Sequence, residues 1–228
     1  MTPEPIVCAR GVNVLHLFCH PDGEVDRDGL RAATDDAVAA GLQVITVAMM
    51  GAKADVAFMV LGADLWDLRR FQSRVQTAGL VVSESYVSVT EVSEYAAGMP
   101  EEMRNARLYP VLPPADLRAF CFYPMSKRRG EVNNWYTLGY DAREALMREH
   151  GASGKTFRGR VLQLVTGSTG LDDWEWGVTL FARHVDDLKE CVYTLRFDEG
   201  SARYGEFGPF YTGLVGTLDD VLDATLIG

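Results

Sequence analysis

Histidine and cysteine are scarce in this chain, four of each in 228 residues, and that scarcity excludes most disulfide and metal architectures. Cys8, Cys19, Cys121 and Cys191 are too few and too scattered for a disulfide framework, and two of them sit in apolar runs typical of buried thiols. Cys19 and His20, with His16 nearby, lack the second Cys-x-x-Cys or His-x-x-x-His pair that a structural metal site needs. No run of about 18 apolar residues occurs, so the pattern predicts no membrane span. Met1-Thr2-Pro3-Glu4-Pro5 lacks the basic, apolar and small-residue order of an export signal, and a cytoplasmic protein is expected. A formal charge of −10 counts against nucleic acid, which calls for a basic stripe. With 47% of its residues hydrophobic, the chain can bury a real core.

What is present reads as one unit written twice. In the first half, residues 14–19 suit a strand, residues 28–40 have helical spacing with Gly41 as a stop, and residues 42–49 and 54–61 read as strands. A second helix over 65–78 opens at Asp64 and closes at Gly79, and a strand over 81–92 follows. The second half repeats the order: strand 119–123, helix 140–150 closed by His150 and Gly151, strands 160–166 and 174–181, helix 186–196 and strand 207–216. Both halves are split βαβ units. The predicted fold class is α+β, two ferredoxin-like βαββαβ repeats over residues 10–97 and 98–228 that combine into a dimeric α+β barrel with a cavity between sheet and helices. Residues 96–114, rich in Pro, Met and Arg, are expected to form the linker.

The residues able to carry chemistry are few. Tyr123-Pro124-Met125-Ser126-Lys127-Arg128-Arg129 places a phenol, a thioether and three cations at the end of an apolar run. Basic residues clustered on an acidic protein point to an anionic ligand. Arg107 and Arg118 lie upstream, and a mixed Lys/Arg set suits a ligand with several carboxylates. Arg196 and Ser201 could add a carboxylate clamp. A histidine ending a helix, such as His150, is either a solvated cation favoured by the helix dipole or an imidazole facing a pocket as an axial iron ligand. Gln163 is the one polar residue of Val161-Leu162-Gln163-Leu164-Val165, so its amide is tied to a neighbour or aimed into a cavity. Trp174-Glu175-Trp176 and Trp135 read as core aromatics. Gly167-Ser168-Thr169-Gly170 lacks the Gly-Lys-Ser/Thr ending of a phosphate loop.

Tyr123 to Arg129, Asn134-Trp135-Tyr136, His150-Gly151, residues 161–170 and Gly208-Pro209-Phe210-Tyr211 together closely resemble the chlorite dismutase-like superfamily. Within it the match is to the coproheme decarboxylases, the actinobacterial type in particular, from about residue 87 onward. The resemblance implies peroxide-dependent oxidative decarboxylation of two propionates of iron coproporphyrin III (coproheme), both substrate and cofactor, to vinyl groups, giving haem b. It makes His150 the proximal iron ligand and Tyr123 the catalytic tyrosine that becomes a radical near a propionate. Met125 and Lys127 would flank the propionates, with Lys127 serving the second decarboxylation. Gln163 matches a distal-side residue, Arg107 a distal arginine, and Arg196 and Ser201 propionate contacts. It further implies rings of five subunits with haem in the C-terminal half, the N-terminal half serving packing and subunit contacts, and transient contact with coproporphyrin ferrochelatase. Two other activities fit a haem site: chlorite dismutation with haem b, against which the Tyr-Pro-Met-Ser-Lys run argues, and haem delivery without chemistry. Actinobacterial members are expected to use a distal histidine, but none of His16, His20, His150 and His184 lies in the linker. Gln163 can orient peroxide but cannot act as a base at neutral pH, so the distal base stays open.

Overall fold

The computed structural model describes residues 3–96 and 98–226, and in it the six-element order occurs twice. The first unit is β1 (Asn13–Pro21), α1 (Arg27–Ala39), β2 (Gln43–Met50), β3 (Val56–Gly62), α2 (Leu65–Thr77) and β4 (Leu80–Thr90). A connecting helix α3 (Glu101–Leu108) leads to β5 (Ala119–Lys127), α4 (Tyr140–Lys155), β6 (Val161–Gly167), β7 (Trp176–Ala182) and α5 (Val185–Leu195). The short α6 (Glu199–Ala202), then β8 (Gly205–Phe207), β9 (Tyr211–Gly216) and α7 (Leu218–Thr225), complete the chain.

All strand pairings are antiparallel and belong to one sheet ordered β7-β6-β4-β1-β3-β2-β9-β5-β8, in which β5 also pairs with β7. That last pairing closes eight strands into a barrel, and β8 extends the wall along the far end of β5. The α+β barrel of two ferredoxin-like repeats is therefore the architecture.

Period-two alternation sorts the side chains. On β1, Val14 and Phe18 belong to the cluster that fills the barrel, and Leu15, Leu17 and Cys19 pack outward with α1 and α2 residues such as Leu30 and Phe71. His16 also points inward, its ring 4.3 Å from that of Phe122 and its Nε2 3.1 Å from Thr179 Oγ1. Complete burial pushes its pKa down to about 3, so it stays neutral. His20 instead pairs with Asp55 at 2.7 Å, so Cys19, His16 and His20 are directed to three different places.

Local chemistry explains where elements stop and where the expected limits fail. Asp26 and Asp64 cap α1 and α2 by accepting from Gly29 N–H and Trp66 N–H. Gly41 and Gly79 end the same helices at φ of +89° and +94°. Gly151 takes no positive φ, and α4 runs on to Lys155, so His150 lies inside the helix and does not close it. β5 likewise continues through Pro124 to Lys127. Gly208 N–H donates to Pro124 O at 2.9 Å, so the proline's missing donor faces the break between β8 and β9. The final strand expected over 207–216 is split at that break. Nor is the connection at 96–114 a plain linker. It contains α3 and is strapped to the first unit by Thr90 Oγ1 donating to Leu108 O at 2.7 Å and by the Gln43 amide, which meets Pro110 O and Leu112 N–H at 2.8 Å each. Helix α7, with buried Val221 and Leu222, packs back on β2 and the first unit's outer core.

Phe122 is fully buried in the barrel and its ring meets those of His16, Phe18 and Tyr86. Phe122→Ala is expected to cost about 3–5 kcal/mol of stability, read as a lowered urea midpoint with an unchanged m-value.

Candidate functional site

Alternation along β5 puts Tyr123, Met125 and Lys127 on the outer face with Ala119 and Cys121, under the helices of the second unit. The Tyr123 ring stacks on Phe210 with centroids 4.5 Å apart, and Phe207 lies 6.1 Å away. Its hydroxyl has no hydrogen-bond partner among the described residues, and burial raises the phenol's pKa, so it remains an O–H at physiological pH. Arg196, just after α5, lies over the neighbouring rings, its Cζ 3.3 Å from the Phe207 centroid and 5.9 Å from that of Phe210. Burial lowers its pKa. A cavity of about 390 Å³ opens beside this group between α5 and β5/β9, lined by Cys121, Leu188, Val192, Arg196, Phe210 and Thr212.

A second group forms where α4 meets α6. His150 Nδ1 lies 3.0 Å from Asp198 Oδ2, and the other carboxylate oxygen accepts from Ser153 Oγ at 2.6 Å. Ser201 Oγ is 3.4 Å from the same ring nitrogen. Asp198 is almost fully buried at 6% side-chain exposure, whereas His150 is 33% exposed. Burial lowers the His150 pKa, opposed by the Asp198 carboxylate. Nε2 has no partner among the described residues. An imidazole tethered to a carboxylate through one nitrogen, with the other free, is the arrangement metal-binding histidines use. The residues present fit an iron ligand, which His150 would supply through Nε2.

Lys127 joins the two groups. Its Nζ donates to Gly200 O at 3.1 Å and lies 4.3 Å from the Trp135 ring centroid, with no carboxylate in contact among the described residues. Burial depresses its pKa to about 8, partly countered by Glu175. The other cations of the basic run are already paired: Arg129 with Glu175, Arg128 with Glu206 at 3.5 Å, and Arg118 with Val215 O at 2.9 Å and Asp220. Of the basic residues at 118 and 127–129, Lys127 alone has no carboxylate against it.

The other expected residues divide. Met125 packs at the edge of the same core cluster. Gln163 is half-buried on the outer face of β6, its Nε2 facing Gly154 on α4, one helical turn beyond His150. It hydrogen-bonds no described residue. Arg196 and Ser201 lie apart: the arginine stacks on phenylalanines and the serine sits beside His150. Arg107 is exposed on α3, whose buried residue, Leu108, packs on the first unit, and it contacts none of these groups. The sequence reading passed over Asp198. The available signal was an acid within the Arg196–Ser201 stretch, but only the fold brings it to His150, 48 residues away.

An ammonium buried without a counter-ion is costly. Its folded pKa of about 8 lies below the ordinary 10.5. Between those values the unfolded chain binds more protons, so stability rises with pH; the penalty is full below pH 8 and relieved towards 10.5. Lys127→Met is expected to be more stable than the parent by roughly 1–2 kcal/mol at pH 7, with the advantage shrinking between pH 8 and 10.5 in urea unfolding.

The sequence profile described as "Chlorite dismutase" matches residues 27–216. Proteins named coproheme decarboxylase from Staphylococcus carnosus and Staphylococcus saprophyticus are 45% and 43% identical. The alignments cover 72% and 76% of this chain and 70% and 73% of theirs. A solved structure described as a novel heme-binding protein from Thermus thermophilus superposes with a TM-score of 0.87 at 33% identity, covering 98% of this chain and 99% of its own. Chlorite dismutase from Candidatus Nitrospira defluvii in complex with imidazole shares the fold at a TM-score of 0.74 and 22% identity, over 96% of this chain and 97% of its own. Profile, relatives and fold agree that the chain belongs to the chlorite dismutase family.

Proposed function

We propose that this chain is a peroxide-dependent coproheme decarboxylase that converts two propionates of iron coproporphyrin III into vinyl groups and releases haem b. The observation that carries the reading is the shared outer face of Tyr123, Met125 and Lys127 beside a histidine whose one ring nitrogen is tethered and the other free. The relatives named for this activity, at 43–45% identity, support it.

His150 would hold the iron through Nε2 while Asp198 fixes the ring through Nδ1. Bound coproheme supplies the iron at which peroxide is reduced and the propionates that lose carbon dioxide. The Tyr123 O–H, kept protonated by burial, can give up its proton and electron together and then oxidise a nearby propionate. Its ring, held against Phe210, has little freedom to leave that path. Lys127 offers a carboxylate an ammonium whose desolvation is already complete, which strengthens the pairing. Arg196 is a second cation on the same face, lying over rings it can leave when a carboxylate arrives. Gln163 can orient peroxide by its amide without taking its proton. We assign Arg107 to the distal side on the family pattern alone.

We infer a cytoplasmic protein assembled as a ring of five subunits, with its N-terminal half serving packing and subunit contacts, that meets coproporphyrin ferrochelatase transiently. No helix among the described residues is long and apolar enough to cross a membrane.

Mass spectrometry of iron coproporphyrin III incubated with the protein and peroxide is expected to show successive loss of two carboxyl groups. Tyr123→Phe is expected to bind the porphyrin with unchanged absorbance but form no vinyl product; normal turnover by that variant removes Tyr123 from the chemistry. Rapid oxygen release from chlorite with the propionates left intact would replace the reading with chlorite dismutation.

A further inference from the structure

The Trp174-Glu175-Trp176 segment, which enters β7, clamps the end of β5. Trp174 packs against Pro124 and Gly208, leaving a Cβ at Gly208 only 2.7 Å from Pro124 Cγ and 2.9 Å from the indole. Trp176 stands opposite Met125 and donates its Nε1–H to Glu91 at 3.0 Å. Between them Glu175 is buried, at 6% side-chain exposure. Its Oε2 accepts the Lys127 N–H at 2.8 Å, its Oε1 accepts from Arg129, and its own N–H meets Met125 O at 3.1 Å and Ser126 Oγ at 3.2 Å. Arg129, so held, lies with its Cζ 4.7 Å from the Tyr136 ring centroid at the rim.

A carboxylate this deeply buried is stable only with strong partners, and here the partners are the segment that carries the site's phenol and ammonium. We propose that Glu175 is a positioning residue of the site: its carboxylate fixes the end of β5, holds Arg129 at the rim, and supplies the negative charge that keeps Lys127 an ammonium. Three observations support the electrostatic part. Lys127 Nζ contacts a backbone carbonyl and an indole but no carboxylate. Of the charged groups near it, Arg128 and Arg129 lie on its own segment, Glu206 on β8, His150 on α4, Asp198 before α6 and Glu175 before β7; Glu206 is paired with Arg128 and Asp198 is bonded to His150 and Ser153, while Glu175 reaches the Lys127 backbone itself. Glu175 also favours the charged form of Lys127 against its burial. Arg129 and Lys127 thus share one anion, and the positive charge of Arg129 opposes what Glu175 contributes at Lys127. The part Lys127 plays in the reaction rests on the function proposed above; its dependence on Glu175 does not.

The test is NMR titration of lysine side chains labelled with 13C at Cε in the ligand-free protein, with Lys53, Lys155 and Lys189 as internal references. Glu175→Gln keeps an acceptor for the Lys127 N–H but removes the charge, and is expected to move the Lys127 titration to lower pH. Arg129→Gln frees the carboxylate and is expected to move it to higher pH. The references stay in place in both variants. A Lys127 titration that does not move, or moves the same way in both variants, overturns the proposal. If Glu175→Gln does not fold, Glu175→Asp replaces it: the shorter side chain withdraws the charge from the Lys127 segment, a downward shift supports the assignment and no shift overturns it. In the coproheme-loaded protein, the alkaline limb of the second decarboxylation is expected to follow the two shifts. A limb that stays fixed while the NMR titration moves removes Lys127 from the chemistry and leaves Glu175's hold on it intact.

Discussion

Pairing of β5 with β7 is the constraint on which the rest of the molecule depends. It closes the barrel, flanks β5 on both sides, and commits every side chain of that strand to one of two environments. The inner one is filled by rings, among them Phe18, Phe120, Phe122 and Phe181, and even its histidine is held neutral. A site built on β5 must therefore use the outer face, where Tyr123, Met125 and Lys127 meet α4, α5 and α6.

Charge at that face is governed by burial more than by number. The basic run looked like a cluster of free cations on an acidic chain, but arginines 118, 128 and 129 are each consumed by a carboxylate of the protein. The cation that matters is the one left without a direct counter-ion, and it is destabilising for that reason. A ligand that brought a carboxylate to Lys127 would turn that cost into binding free energy. His150 follows the opposite logic. Its carboxylate is supplied by the protein, which orients the ring and leaves one nitrogen for a partner.

Much of this was legible in the sequence, for identifiable reasons. Helices α1 and α2 have Asp caps at one end and glycines at the other, and the strands alternate or run apolar, so local rules placed them within a residue or two. The limits that failed were those set by distant contacts. Gly151 looks like a stop, but α4 is held past it by Ser153 bonding to Asp198. Pro124 looks like the end of a strand, but the break between β8 and β9 stands opposite it. Helix α3 lay hidden in a segment rich in Pro and Met because its anchors, Thr90 and Gln43, belong to the first unit. Tyr123, Lys127 and His150 could be named from the motif. Asp198 and Glu175 could not, since an acid's meaning depends on what the fold sets against it.

The two repeats cover the outer face of their strands differently. Each repeat places two helices over the outer face of its strands. In the first, α1 buries Leu30, Ala33 and Ala37 and α2 buries Leu68, Phe71 and Val75, and α7 adds Val221 and Leu222, so that face is a continuous apolar core. In the second, α5 buries Leu188, Cys191 and Leu195, but α4, the counterpart of α1, has no fully buried side chain, with Leu146, Met147 and His150 half-buried. A helix that contributes no core can stand away from its sheet, and the surface beneath it need not be apolar. Gln163 and Asp198 are polar groups set against α4, the first facing Gly154 and the second bonded to His150 and Ser153. The second half thus keeps a loosely covered face, a cavity and a buried ammonium, while the outer face of the first is continuous apolar core.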